Sequence, residues 1–206
     1  VNVNITLLFT VQSYEKVARA YIRGLQRRRD RGEPIDGISS VASFFDSRVD
    51  TVVDGLLPAD SPLRGKVAIA NAKIAYQRFL DIFSGPAWEK LAAAGAQVQR
   101  PLWASTGTKN PAYPDTLYVD GLIGPDTVNT LPETTIRAFE DHGRVERTID
   151  LGAGESAEVM RRLETVGIDM EAVGRDLEEA GVASFRDALA HVLRTLASKE
   201  HALLAR

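Results

Sequence analysis

The chain has 206 residues, 44% hydrophobic and 26% charged, with a formal net charge of -3 at pH 7. That length suits one large domain or part of a barrel of about 250 residues, and the composition is that of an ordinary globular protein. The acidic balance argues against a nucleic-acid partner, and the absence of Cys excludes disulfides and thiolate metal sites.

Residues 1–10 (Val-Asn-Val-Asn-Ile-Thr-Leu-Leu-Phe-Thr) form a near-continuous apolar run rich in β-branched residues. Such a run predicts a strand buried on both faces of a parallel sheet. Asn2, Asn4 and Thr6 project to one face, since side chains alternate along a strand. In a barrel that face is the lumen, and an amide and a hydroxyl buried there need hydrogen-bond partners. The chain opens on Val, already inside this strand, and is therefore expected to be the back portion of something larger.

A helix is predicted from Val11 to about Arg29, capped by Ser13, with Tyr14, Val17, Ala18, Tyr21, Ile22 and Leu25 on its apolar face. Its arginine cluster (Arg23, Arg27, Arg28, Arg29, Arg31) complements the helix dipole and reads as a solvated face. Ile38–Phe45 is the second strand, followed by the polar Asp46-Ser47-Arg48. Residues 49–95 form a helical insertion of three helices ending at Gly95, in which Tyr76, Phe79, Phe83 and Trp88 are shell packing. Val98–Ser105 is the third strand. Pro101 is awkward in mid-sheet, so regular pairing is expected from Leu102 onward. A polar loop, Thr106-Gly107-Thr108-Lys109-Asn110-Pro111, comes next. Residues 126–131 form a short fourth strand, and Thr130 caps a helix opened by Pro132 and Glu133.

Residues 1–150 thus read as a partial (β/α) barrel, and 151–206 as C-terminal helices packing on it. Breaks are expected at 167–169 and 181–184, with Asp169 and Ser184 as caps. Ala188, Val192, Leu196 and Leu203 are expected to be the packed face of the final helix. His142, His191 and His201 show no metal-ligand spacing, so no metal or cofactor is expected. No apolar run reaches the roughly 18–20 residues that span a bilayer, and no signal peptide is visible. The default expectation is cytoplasmic, with no membrane partner.

In α/β barrels the working residues sit at the C-terminal ends of strands, often with a phosphate site after strands seven and eight. Those ends offer Asn4 and Thr6, then Ser43 and Arg48, then Ser105 and Lys109. Hydroxyls, an amide and cations without a carboxylate pair suit a phosphorylated polyol, the cation holding the dianion. Each residue also has a plain structural use. Arg48 suits an ion pair with Asp46 or Asp50, Lys109 a solvated loop, Ser105 a backbone contact, and Asn4 with Thr6 a lumen layer.

These segments resemble the transaldolase family. Asn2–Thr10 is similar to its fifth-strand signature, and Ser43–Asp50 to its sixth-strand segment. Trp103–Asn110 is similar to the seventh, and Asp126–Pro132 to the eighth. The resemblance implies an α/β fold, the C-terminal half of a TIM (β/α)8 barrel (strands five to eight) with extra helices. It also implies transfer of a dihydroxyacetone unit between sugar phosphates through a lysine Schiff base, in the pentose phosphate pathway. The implied partners are sedoheptulose 7-phosphate, glyceraldehyde 3-phosphate, fructose 6-phosphate and erythrose 4-phosphate. Thr6 would help position the catalytic water, Asn4 and Ser43 would contact the dihydroxyacetone unit, and Arg48, Ser105 and Lys109 would hold phosphate. Lys109 stands where many members have Arg.

The family's Schiff-base Lys, acid/base Glu and catalytic Asp lie on its fourth, third and first strands, ahead of the matched segments. The chain alone is therefore expected to be inactive, with the missing N-terminal half of the barrel as its partner. A non-catalytic phosphosugar-binding half-barrel is the alternative. So is a related class I aldolase such as a fructose-6-phosphate aldolase, against which the long helical insertion and tail count.

Overall fold

The computed structural model describes residues 2–204. Val1 and Arg206, the outer ends of the predicted first strand and final helix, lie outside the described residues, as does the side chain of His201. Four strands, β1 (Val3–Leu8), β2 (Ser40–Phe45), β3 (Gln99–Ala104) and β4 (Val128–Asn129), form one parallel sheet in the order β1-β2-β3-β4. Parallel neighbours need crossovers, and these are supplied by helices. The helices are α1 (Val11–Asp30), α2 (Ser47–Leu56), α3 (Val67–Ile82), α4 (Gly85–Ala92), α5 (Leu117–Asp120), α6 (Glu133–His142), α7 (Ala153–Thr165) and α8 (Met170–Leu204).

The first strand departs from its expected burial. β1 pairs with β2 alone and is the edge of the described sheet; Asn2, Val3, Asn4 and Thr6 are exposed. Only Leu7 and Leu8 at its C-terminal end are buried, because helices cover that end. A bulge interrupts the β1–β2 ladder: Ile5 faces Ala42 and Leu8 faces Phe44, so Thr6 and Leu7 share the place of one residue on β2. Leu7 takes a left-handed φ of 61° within it. Consecutive Leu7 and Leu8 join different hydrophobic clusters.

The larger cluster joins the sheet to α1, α3 and α4 through Tyr14, Phe44, Tyr76, Trp88 and Trp103. The insertion aromatics form the expected stack, with Phe79 and Phe83 centroids 5.4 Å apart and Phe83 meeting Trp88 edge-on at 4.9 Å. The second cluster gathers Leu7, Phe9, Val49, Val53, Val67, Leu163 and Val173, tying the sheet's C-terminal end to α2, α3, α7 and α8. α3 carries buried Ala68, Ala70, Ala72 and Ala75. These small residues allow close approach, and α3 packs against α1, α2, α4 and α7.

Several local expectations change. Thr10, not Ser13, caps α1, accepting from the Ser13 amide at 3.1 Å. Thr130 caps nothing: its hydroxyl and amide both donate to the Trp103 carbonyl, and Pro132 occupies the α6 N-cap. Pro101 lies inside β3, opposite Ala42. It is tolerated because β4 begins pairing only at Leu102, so no β4 bond is lost there. Asp169 caps α8 through the Glu171 amide at 2.9 Å, but α8 then runs unbroken through 181–184, with Ser184 inside it. Ala188, Val192, Leu196 and Leu203 are exposed.

The reason α8 does not stop at its glycines is that they face the sheet. A Cβ on Gly174 would sit 2.2 Å from Thr10 Cγ2, and one on Gly181 would sit 2.8 Å from a Leu7 methyl. Glycine here permits close approach and does not break the helix. Gly174→Ala is expected to lower stability by about 1–3 kcal/mol in urea unfolding through overpacking. Gly24→Ala, with open space around the added methyl in mid-α1, is expected to raise stability by about 0.5–1 kcal/mol. Equal shifts in the two variants would contradict the seating of α8.

Candidate active site

β2 is the spine on which the predicted residues assemble. Ser43 is buried, and its hydroxyl donates to Asn4 Oδ1 across the β1–β2 pair at 2.7 Å. Two residues along the same face, the Phe45 ring lies under the half-buried Arg48 guanidinium, at 5.4 Å from its centroid. At the strand's end, the amides of Asp46 and Ser47 donate to the carbonyls of Ala104 and Ser105 at 3.0 and 3.1 Å. The ladder thus continues into the first turn of α2 and fixes where Arg48 leaves the backbone.

Ser105 has a left-handed φ of 56°, and its hydroxyl lies 2.9 Å from that of Ser47. A non-glycine residue in that conformation costs roughly 1–3 kcal/mol, and such residues cluster at functional sites. The loop behind Ser105 is anchored by buried Thr106, whose hydroxyl donates to Asn129 Oδ1 at 2.8 Å and also lies 3.2 Å from the Thr130 carbonyl. Thr108 Oγ1 donates to the Pro114 carbonyl at 2.8 Å. Exposed Lys109 lies in a cleft of about 280 Å³ that Ser47, Asp50, Asp54, Arg64 and Tyr113 also line.

The structure therefore joins Asn4 to Ser43, sets Arg48 on Phe45, and joins Ser105 to Ser47, with Lys109 and Ser47 lining the same cleft. Thr6 stands exposed in the β1 bulge on the same strand as Asn4. Among the described residues, Arg48 pairs with neither Asp46 nor Asp50, so its charge remains available for a ligand. Sequence reasoning missed Ser47, next to Arg48, and Phe45, two positions after Ser43. It also missed Thr106 and Asn129, whose contact closes over 23 positions and has no local signal.

Asp46 at the N-cap of α2, and Asp50 and Asp54 on α2 where they line the cleft, are three buried acids spaced one turn apart. Asp54 accepts from the Gly65 amide at 3.0 Å and from Tyr113 Oη at 2.6 Å. Asp50 accepts from the Ala68 amide at 2.8 Å and from Tyr118 Oη at 2.9 Å. Burial nevertheless pushes Asp50 up to about 6. Asp46 is fully buried, and neither carboxylate oxygen has a hydrogen-bond partner. Burial first, then the neighbouring Asp50 charge, raises it well above the ordinary carboxylate range.

Both acids hold protons in the fold that the unfolded chain releases above about pH 4. Their contribution is thus fully present below that pH and is lost as pH rises toward their folded pKa values. Asp46→Val is expected to raise stability at pH 8 by about 1–3 kcal/mol, since it removes an unsatisfied buried group. It should also flatten, without abolishing, the fall in urea midpoint between pH 5 and pH 8, because Asp50 remains. An unchanged midpoint at pH 8 would contradict the isolation of Asp46.

Among the described residues, no group of three His, Cys, Asp or Glu is placed to hold a metal ion, and no helix is long and apolar enough to cross a membrane. Residues 1–196 match the family model described as Transaldolase/Fructose-6-phosphate aldolase. A protein named "Transaldolase" from Parafrankia sp. (strain EAN1pec) is 49% identical over 202 residues, covering 95% of this chain and 55% of the relative. "Transaldolase 2" from a Nostoc species is 46% identical over 215 residues, covering 97% and 56%. "Transaldolase" from Mycolicibacterium smegmatis is 47% identical over 191 residues, covering 90% and 52%. The chain spans about half the length of these curated relatives. On the extent of these matches, the chain belongs to the transaldolase/fructose-6-phosphate aldolase family.

Proposed function

We propose that this chain forms strands five to eight of a (β/α)8 barrel and supplies the substrate-holding wall of a transaldolase. The observation that carries the reading is the set of contacts centred on β2 and the first turn of α2: Asn4 bonded to Ser43, Arg48 over Phe45, and Ser47 bonded to Ser105. An amide on β1 and a hydroxyl on β2 precede a cation in the first turn of α2, an order that suits a polyol chain ending in a phosphate.

In the reaction, a lysine amine adds to the carbonyl of a ketose phosphate and loses water, giving a Schiff base. A base removes the hydroxyl proton next to the bond that breaks, an aldose phosphate leaves, and its bonding electrons remain on the lysine-bound dihydroxyacetone unit. Addition to a second aldose phosphate and hydrolysis return the free amine. Sedoheptulose 7-phosphate and fructose 6-phosphate serve as ketoses, glyceraldehyde 3-phosphate and erythrose 4-phosphate as aldoses. Asn4 and Ser43 hold the dihydroxyacetone hydroxyls, and Thr6 positions the water. Arg48, Ser105 and Lys109 hold phosphate. Among the described residues, no Lys occupies β1–β4; the lysines lie on helices or in loops. Lys73, whose pKa burial lowers, spends its ammonium on the Leu151 carbonyl at 2.9 Å, away from the sheet. The reacting amine is accordingly assigned to the N-terminal half of the barrel.

The chain alone is expected to show no dihydroxyacetone transfer between fructose 6-phosphate and erythrose 4-phosphate, read by coupled spectrophotometry. Mixed with the portion of the Parafrankia protein outside the matched half, it should turn over. In that assembly Arg48→Ala and Lys109→Ala should each raise KM for the acceptor phosphate about 10–100-fold while kcat changes little. Turnover by the chain alone, or unchanged KM in both variants, would overturn the assignment.

A further inference from the structure

The C-terminal half of α8 presents an apolar seam that no described part of the chain covers. Val182, Phe185, Leu189, Val192 and Leu196 follow one another at steps of three, four, three and four residues. All five are more than half exposed, at 51–60%. A strict three–four alternation is the pattern of a packing seam between helices. Contiguous apolar surface of this kind marks an interaction site, and a helix draws most of its stability from such packing.

The place where the seam begins identifies what it faces. The first half of α8 is seated on α2 and on the end of β1, with Gly174 on Thr10 and Gly181 on Leu7. The seam starts one residue past Gly181, where the helix leaves β1. β1 is also the edge of the described sheet, and its Val3 is 44% exposed. An unpaired edge and an unpacked seam therefore adjoin at the same strand.

We infer that the C-terminal half of α8 is a clasp that docks by residues 182–196 on the N-terminal half of the barrel, which at the same time pairs with the free edge of β1. This rests on the barrel reading above. It adds that the final helix, and not the sheet alone, holds the two halves together. The relatives' extra length supplies an occupant of the right size, since this chain accounts for only 55% of the Parafrankia protein. A second copy of this chain fits less well. A two-fold axis would set β1 antiparallel to its mate, whereas every pairing in the sheet is parallel.

The test mixes the 206-residue chain with the separately produced unmatched portion of the Parafrankia relative, and reads mass by light scattering and affinity by calorimetry. The wild type should form a one-to-one complex in which amides of both residues 3–5 and residues 182–196 become slow to exchange. The double variant Leu189→Glu, Leu196→Glu should bind at least tenfold more weakly with unchanged helical circular dichroism. Val145→Glu, at an 88% exposed site off the seam, should bind as wild type does. Pairing by the double variant at wild-type affinity overturns the clasp and leaves the barrel reading standing. No complex with the wild type overturns both. A homodimer of the chain that the double variant dissolves assigns the seam to a second copy, and overturns the clasp as well.

Discussion

Parallel pairing of β2 between β1 and β3 is the constraint on which the rest of the molecule depends. Its register holds from Ser40 opposite Gln99 to Phe45 opposite Ala104. The ladder then runs beyond the strand, through the Asp46 and Ser47 amides, into the first turn of α2. This continuity removes the freedom that a loop would have at the same place. Ser43 and Phe45 on β2 and Ser47 and Arg48 in the first turn of α2 are consequently held in fixed relation to one another. Positions on strands and helix ends hold geometry better than positions on loops, and the cost of ordering long side chains falls accordingly.

The two strands beside β2 answer with strain. Leu7 and Ser105 both adopt left-handed φ values, at the ends of β1 and β3. Neither is a residue that favours that region, so the surroundings must impose it. Leu7 lies opposite Gly181 of α8, where an added Cβ would come 2.8 Å from its methyl, and packs in the second hydrophobic cluster. Ser105 is held by its carbonyl and its hydroxyl, both engaged by Ser47. Each strained residue lies next to a proposed site group or is one itself: Thr6 precedes Leu7, and Ser105 is one of the proposed phosphate-holding residues. The packing of α8 and α2 thus acts at the site through backbone conformation, without a side chain of α8 reaching it.

Much of the fold was legible in the sequence because it is local. The alternation of strand and helix, the positions of α1 to α4 within a few residues, and the aromatic stack of the insertion all follow from periodicity. The candidate residues could be nominated because strand ends are where a parallel sheet puts chemistry, and the contacts Asn4–Ser43 and Ser105–Ser47 bring pairs of side chains together there. The rest depended on distance. Thr10 outcompetes Ser13 as a cap because its hydroxyl also meets Glu171 of α8, 161 positions away. Thr130 abandons capping for the Trp103 carbonyl, 27 positions away. Exposure of Val3, Asn4 and Thr6 could not be read from their hydrophobicity, because an edge strand and an inner strand carry the same residues.

α8 shows most clearly how one pattern supports two structures. Glycine near Ser or Asp reads as a break in the local grammar, yet Gly174 and Gly181 lie two turns apart on a face pressed against Thr10 and Leu7. Whether a glycine ends a helix or lets it approach another element depends on what stands opposite, and that is set by the sheet. The apolar residues after Gly181 obey the same logic from the other side. Their three–four spacing marks them as buried, while the structure leaves them in solvent. A helix costs free energy to order, and a seam that stays wet returns none of it. The proposed clasp reconciles the two, because it gives the seam a surface to pack on beyond the edge of β1.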